Sequence, residues 1–369
     1  NVDAEQVSGH IEYRAPRAAT GSAGRVYARL SRLSLPRDEL ADVESLLDPV
    51  AVSVPALDVV VDDFVLRGKS LGRMEMEAVN RGVGEGRPDA REAVREWRLT
   101  RLALTTPEAR LSASGNWAAL GAGSGTSAAA GNRRVVLNFK LELDDSGALL
   151  DRLGYGKVLR GGKGAMAGQL AWVGSPLSLD FPSLSGQVNL AVASGQFLQA
   201  DPGVGRLLGV LSLQALPRRF LLDFRDVFQE GFAFDDISGD LQIAQGVAKT
   251  NNLRMRGVQA AVLMEGHADI AQETQDLRVV VVPEFNAGTA SLAYAAINPA
   301  LGLGSFLAQA LLRKPLMAAN TREFHVTGPW ADPKVEKIDR KGTDEAPAGA
   351  PSAASAASGP GAEIQRVRP

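Results

Sequence analysis

The chain has no cysteine, which excludes disulfides, thiolate metal ligands and cysteine nucleophiles and leaves the redox compartment unmarked. Histidine is almost as scarce. His10, His267 and His325 are far apart and alternate with apolar neighbours, so each reads as the outer face of a strand and not as part of a metal site. Aromatic residues make up only 5% of the 369 residues, too few for the stacking platforms of single-stranded nucleic-acid binders. Forty Lys and Arg stand against 42 Asp and Glu, a net charge of −2, so no basic excess invites a polyanion. No apolar stretch reaches the roughly 18 residues of a membrane-spanning helix. The nearest, residues 299–312, is 14 residues long and broken by glycines. The start, Asn1-Val2-Asp3-Ala4-Glu5, has neither Met nor a basic-then-apolar leader. The chain therefore reads as a piece of a longer protein, with any membrane anchor expected in the part outside it.

Catalytic motifs are missing too. There is no His-Glu-x-x-His and no Gly-x-Ser-x-Gly. Gly161-Gly162-Lys163-Gly164 fails the phosphate-loop pattern in its upstream spacing and in the residue after the lysine, and reads as a glycine turn entering a strand. Asp62-Asp63, Asp144-Asp145 and Asp235-Asp236 are adjacent carboxylates. Neighbours on a strand face opposite ways, so turn or cap roles suit them better than an acid/base dyad. The expectation is a protein that is not an enzyme and needs no cofactor or metal.

What is present is alternation. Residues 135–143 place Val135, Leu137, Phe139, Leu141 and Leu143 on one parity and Asn138, Lys140 and Glu142 on the other. Side chains of a strand point to opposite faces in turn, so this is a half-buried strand. Similar segments recur at 59–66, 71–79, 97–104, 109–117, 164–173, 184–193, 220–224, 237–244, 253–256, 277–282 and 324–327. In 258–270 the even positions form one apolar face, against Gln259, Glu265, His267 and Asp269. Helical spacing appears at 38–47, 146–153, 201–214 and 298–317, the third and fourth behind Asp-Pro and Asn-Pro starts. Residues 121–131 form a Gly/Ser/Ala loop, and beyond 341 the chain is Ala, Pro, Ser and Gly with little to bury. The divisions expected are 1–130, a β-groove segment; 131–340, a domain with β-groove and capping helices; and 341–369, a disordered tail. About fifteen strands at ~4.8 Å spacing give a sheet roughly 70 Å long, which curls more readily than it stays flat. A curled one-sided sheet is a trough with an apolar floor. The fold class is mostly β: a long, curled antiparallel sheet forming an apolar groove, with a few short helices near the C-terminal half.

The stretches Gly203-Val204-Gly205-Arg206-Leu207-Leu208-Gly209, Leu216-Pro217-Arg218-Arg219-Phe220, Gly231-Phe232-Ala233-Phe234-Asp235, Gly168-Gln169-Leu170-Ala171-Trp172 and Val326-Thr327-Gly328-Pro329-Trp330 resemble the C-terminal region of the YhdP branch of the AsmA-like family, bridge-like lipid transport proteins of bacteria. The resemblance covers about residues 7–335. The loop 121–131 and the C-terminal tail depart from the family pattern. The resemblance implies a periplasmic portion of a Gram-negative envelope protein anchored in the inner membrane and reaching the outer one. It implies phospholipids as cargo, carried between the two membranes along a hydrophobic β-groove, and offers no catalytic residues.

The expected groove lining is Val135, Leu137, Phe139, Leu141, Val188, Leu190, Val192, Phe220, Leu222, Phe224, Val258, Val262, Met264, Leu277, Val279 and Val281. Repetitive apolar surface without placed polar groups suits a path of similar sites better than it suits an enzyme pocket. Arg218, Arg219, Phe306, Arg313 and Lys314 are candidates for headgroup or membrane contact. The alternative is a structural or assembly module of the cell envelope that acts through outer-membrane or periplasmic protein partners at the outer membrane, where an open sheet edge could pair with a partner strand.

Overall fold

The computed structural model describes residues 2–15, 24–36, 55–82, 95–119, 133–198, 232–257, 260–283 and 321–338. The helical segments expected at 38–47, 201–214 and 298–317, the strand at 220–224, the loop 121–131 and the tail from 341 lie outside them. So do Phe220, Leu222, Phe224 and Val258 of the expected lining, and Arg218, Arg219, Phe306, Arg313 and Lys314.

The described residues form one curled, unclosed sheet of 17 strands. In chain order these are β1 (Val2–Asp3), β2 (Val7–Arg14), β3 (Arg25–Leu35), β4 (Ala56–Leu66), β5 (Lys69–Ser70), β6 (Arg73–Gly82), β7 (Arg95–Thr105), β8 (Ala109–Ala119) and β9 (Arg133–Leu143). They continue as β10 (Leu159–Val173), β11 (Ser185–Phe197), β12 (Phe232–Ala244), β13 (Val247–Gly257), β14 (Ala260–Asp269), β15 (Thr274–Pro283), β16 (Arg322–Pro329) and β17 (Lys334–Lys337). Each strand pairs with the next along the chain, except that β6 returns past the two-residue β5 to pair with β4. Every pairing is antiparallel but one: β3 and β4 run parallel, in register from Arg25↔Ala56 to Leu35↔Leu66. A parallel neighbour needs a crossover and not a hairpin, and local alternation carries no mark of that. Tight turns at Arg67–Gly68 and Gln245–Gly246 hold φ of 52°, 76°, 51° and 76°, the left-handed pairs that match strand twist in two-residue hairpins.

Among the described residues one α-helix, α1 (Ser146–Arg152), lies between β9 and β10. Asp145 caps it, its carboxylate accepting from the Ala148 N–H at 3.0 Å. The cap role expected for Asp144-Asp145 holds. The other two acidic pairs are not turn residues. Asp62 and Asp63 lie within β4 and Asp235 and Asp236 within β12, where Asp62 meets Arg73, Asp63 meets Arg32 and Asp235 meets Arg256. On a polar sheet face, cross-strand arginines supply the partner that a turn would otherwise provide. The glycine run at 161–164 also lies inside a strand, β10, and does not precede one. Gly161 and Gly162 take φ of 67° and 90° there, and the Gly162 carbonyl turns to accept from the buried Ser146 hydroxyl at 2.8 Å.

The largest difference from the sequence pattern is in β14. Val262 and Met264 face one way as expected, but Ala261 and Leu263 on the opposite face are 0% and 2% exposed. Across the ladder, Val280 and Val282 of β15 are equally buried. The single-face reading of 258–270 holds only from Glu265 onward. Between Ala260 and Met264 every residue is apolar and buried, as in strands covered on both faces.

Candidate functional site

The register places one apolar residue of each successive strand in a single row. Leu30 faces Val61, Val61 faces Met74, Met74 faces Leu104, and Leu104 faces Leu111. From there the row passes through Leu141, Met166, Leu190 and Gly239. It resumes as Leu253↔Met264↔Val279↔Phe324, and the Gly239 Cα would bring a Cβ to 2.8 Å from the Leu253 Cα, so the two halves meet. A parallel row runs Ala28, Val59, Met76, Leu102, Ala113, Phe139, Gly168, Val188 and Leu241. Bulges in β3, β6–β7, β7–β8 and β12–β13 shift individual strands but return the apolar parity to the same side.

The other face is polar along most of its length. It carries the pairs Arg29–Asp58, Arg101–Glu75, Arg110–Asp144 and Lys140–Glu142, and the amide contacts Gln169–Asn138 and Asn189–Asp240. Asn189 and Asn252 both donate to Asp240 and hold its carboxyl below the usual range. A hollow of about 850 Å³ opens on this polar face over β12–β16. Several of its charges are engaged with each other: Arg278 with Glu323 and Glu265, and His325 with Asp276 at 2.9 Å. Among the described residues no three His, Cys, Asp or Glu side chains group as a metal site.

The twelve described members of the expected lining all lie on the apolar face, but in two environments. Leu137, Phe139, Leu141, Val188 and Leu190 are half-buried on β9 and β11. Val135, Val192, Val262, Met264, Leu277, Val279 and Val281 are buried, from 7% exposed down to 0%. Six of the buried set pack with Phe234, Ile237, Met255 and Phe324 into one core, and Val135 packs instead with Trp117, Trp172 and Leu184. The half-buried set forms a floor over β8–β11, where Gly115, Gly164 and Gly168 alternate with Leu111, Leu141 and Met166.

The two long borders of this face differ. One border gathers all four tryptophans: Trp97, Trp117 and Trp172 at the same end of β7, β8 and β10, and Trp330 just past β16. Trp97 faces Trp117, which faces Val135, which faces Trp172. These indoles pack with Leu184, Ile243 and Ile270. Their N–H groups donate to backbone carbonyls of Pro55, Gly174 and Ser175, so the apolar rings face the floor while the polar edges are satisfied at the rim. At the other border Glu108 grips Arg152 of α1 through two bonds of 2.8 and 2.7 Å. This bidentate contact holds the Glu108 carboxyl below its usual range. The tryptophan border is the feature that reading single segments misses. Each Trp is a strand-end residue whose meaning emerges only when the hairpins set those ends side by side.

Among the described residues no helix is long and apolar enough to cross a membrane. The model of the YhdP protein family matches residues 1–335. The chain is also 29% identical over 244 residues to the intermembrane phospholipid transporter YhdP of Escherichia coli (strain K12), a match covering 66% of this chain. That match spans only 19% of the relative's length. No solved structure matches the chain. A one-faced sheet built strand after strand and a family match over nearly the whole described region agree: the chain belongs to the YhdP family.

Proposed function

We propose that this chain is a segment of a lipid conduit, and that the half-buried floor of β8–β11 holds the acyl chains of phospholipids moving between the two membranes of a bacterial envelope. The observation that carries this is the apolar row, which passes strand by strand from β3 to β12, resumes beyond the β12–β13 bulge and stays half-buried in its middle stretch. Each acyl CH₂ that leaves water on such a surface gains about 0.8 kcal/mol. Because the row repeats at every strand, neighbouring positions are near-equivalent, and a lipid can shift along it without crossing water. Leu137, Phe139, Leu141, Val188 and Leu190 are the floor contacts, and the buried members of the row act as its packed continuation. The segment does no covalent chemistry in this role and sits in the periplasm. The similarity to a transporter named for phospholipid movement between membranes supports the cargo class.

Addition of a partner strand at an edge, the assembly alternative, fits less well at the C-terminal side. There β17 is four residues long and carries Lys334, Glu336 and Lys337, features that blunt an edge against pairing. The test is lipid content. The purified chain is extracted and its bound lipid counted by mass spectrometry, beside Phe139→Asp and Leu141→Asp. The wild-type chain is expected to retain phospholipid and both variants to lose most of it while keeping their β-sheet circular dichroism. Equal lipid content in folded variants would remove the floor from the path.

A further inference from the structure

The apolar face carries a cation where a lipid headgroup would emerge. Arg133 begins β9 on the same parity as Val135, Leu137 and Phe139, so it belongs to the floor side and not to the charged side. It sits on the tryptophan border, its guanidinium 4.3 Å from the centre of the Trp117 ring. The backbone fixes it there. Gly174 N–H donates to the Arg133 carbonyl at 2.8 Å, and the Trp117 indole N–H donates to the Gly174 carbonyl at 2.8 Å. Among the described residues Arg133 has no carboxylate partner, whereas the arginines of the polar face include Arg29, Arg73, Arg101 and Arg110, each paired with an acid. Burial lowers the Arg133 pKa, yet the side chain remains partly accessible. An arginine carries its charge at any relevant pH, so it is a fixed, half-desolvated cation in want of an anion. Arg322, another cation of this parity, lies at the opposite border.

Taking the lipid reading above as its basis, we propose that Arg133, stacked on Trp117, is a binding site for the phosphate of a phospholipid whose acyl chains lie along β9 and β10. The dimensions suit this. At about 3.4 Å per residue, Phe139 lies about 20 Å and Leu141 about 27 Å from Arg133 along the strand, enough for one leaflet's acyl layer of about 15 Å. The planar guanidinium can offer two parallel N–H donors to a phosphate while its face stays on the indole. Tryptophan at the junction of apolar floor and polar rim matches its preference for the boundary between acyl chains and headgroups. The trough would then have a direction across its width, with headgroups riding the tryptophan border and chain ends pointing toward α1.

The test separates headgroup from chain. The full chain is incubated with vesicles of phosphatidylglycerol, or with dioleoylglycerol in a detergent carrier, and the retained lipid is counted for wild type, R133Q, R133K and R134Q. Arg134 is the adjacent cation on the polar face. R133Q is expected to lose roughly tenfold or more in phosphatidylglycerol retention, the worth of a charged hydrogen-bonded contact, while its dioleoylglycerol retention stays at the wild-type level. R133K, which keeps the charge but not the fork, is expected between the two, and R134Q is expected to match wild type for both lipids. An unchanged phosphatidylglycerol-to-dioleoylglycerol ratio in folded R133Q or R133K would overturn the headgroup site and leave the floor standing. A wild-type chain that retains neither lipid would overturn both. Stoichiometric binding of inorganic phosphate alone, seen by calorimetry in wild type and lost in R133Q, would reassign the site to a free anion.

Discussion

Strands β9 and β14 present the same apolar face with different residues in between. In β9, Asn138, Lys140 and Glu142 stand between the inward leucines and phenylalanine, and the strand is wet on one side and half-open on the other. In β14, Ala261 and Leu263 stand between Ala260, Val262 and Met264, and all five are buried. The run Val279–Val282 does the same in β15, each residue 3% exposed or less. A strand with a polar parity is half-open, and one without it is core. The first pattern leaves apolar area available to a ligand, and the second spends it on the protein's own stability. The same face is therefore closed core over much of β12–β16 and half-buried surface over β8–β11.

The sharpest way to break this comparison is to place a charge in each region. Val280→Asp puts a carboxylate at a position 0% exposed and is expected to cost about 4 kcal/mol or more, enough to unfold a marginal sheet. Leu141→Asp, on the half-open floor, is expected to cost about 1–2 kcal/mol. Urea midpoints compare the two, and equal losses would erase the distinction between core and floor. Cavity formation tests the same contrast more gently. Met264→Ala, at a site 1% exposed, should lose about 2–5 kcal/mol, whereas Met166→Ala should lose about 1 kcal/mol and show it mainly as reduced lipid retention.

Gly168 sharpens the comparison from the backbone side. It lies between Phe139 and Val188, and an added Cβ would come 2.1 Å from the Gln187 carbonyl oxygen. Gly168→Val is expected to cost about 1–3 kcal/mol through forced separation of β10 and β11, read as faster amide exchange in those two strands. The smallest effect belongs to the border opposite the tryptophans. Glu108 keeps a pKa below its ordinary 4.5 because of Arg152. Its contribution is therefore present above the unfolded value and disappears as pH falls through the lowered folded value. Glu108→Gln should lower stability at pH 7 by about 1 kcal/mol and match wild type once both are acidified below that range. Melting temperatures across pH 2–7 measure the convergence.

Most of this sheet is legible in the sequence because a strand's burial alternates with its side chains. β9, β8 and β11 stand out wherever a polar residue separates two apolar ones, and α1 stands out because Asp145 precedes Leu149 and Leu150. The parallel pairing of β3 with β4 is not legible, since it depends on where the chain returns after leaving β3 and not on either strand's own pattern. The double burial of β14–β15 is present in the sequence as runs without polar residues, but such a run resembles a single apolar face until the partner strand is known. Arg133 lies just ahead of the alternating run 135–143 and carries no mark in the sequence. Its inward parity becomes meaningful only through the pairing Ala119↔Arg133 and the stack on Trp117.

The most direct measurement of the central claim is site-specific photocrosslinking in the bacterial envelope, with a photoreactive residue at Phe139 or Leu141 on the floor and at Lys140 or Glu142 on the polar face. Phospholipid adducts at the first two positions and none at the second two are the expected result. Adducts to protein at all four positions, or lipid adducts without regard to parity, would contradict the assignment of this face as the path of the lipid.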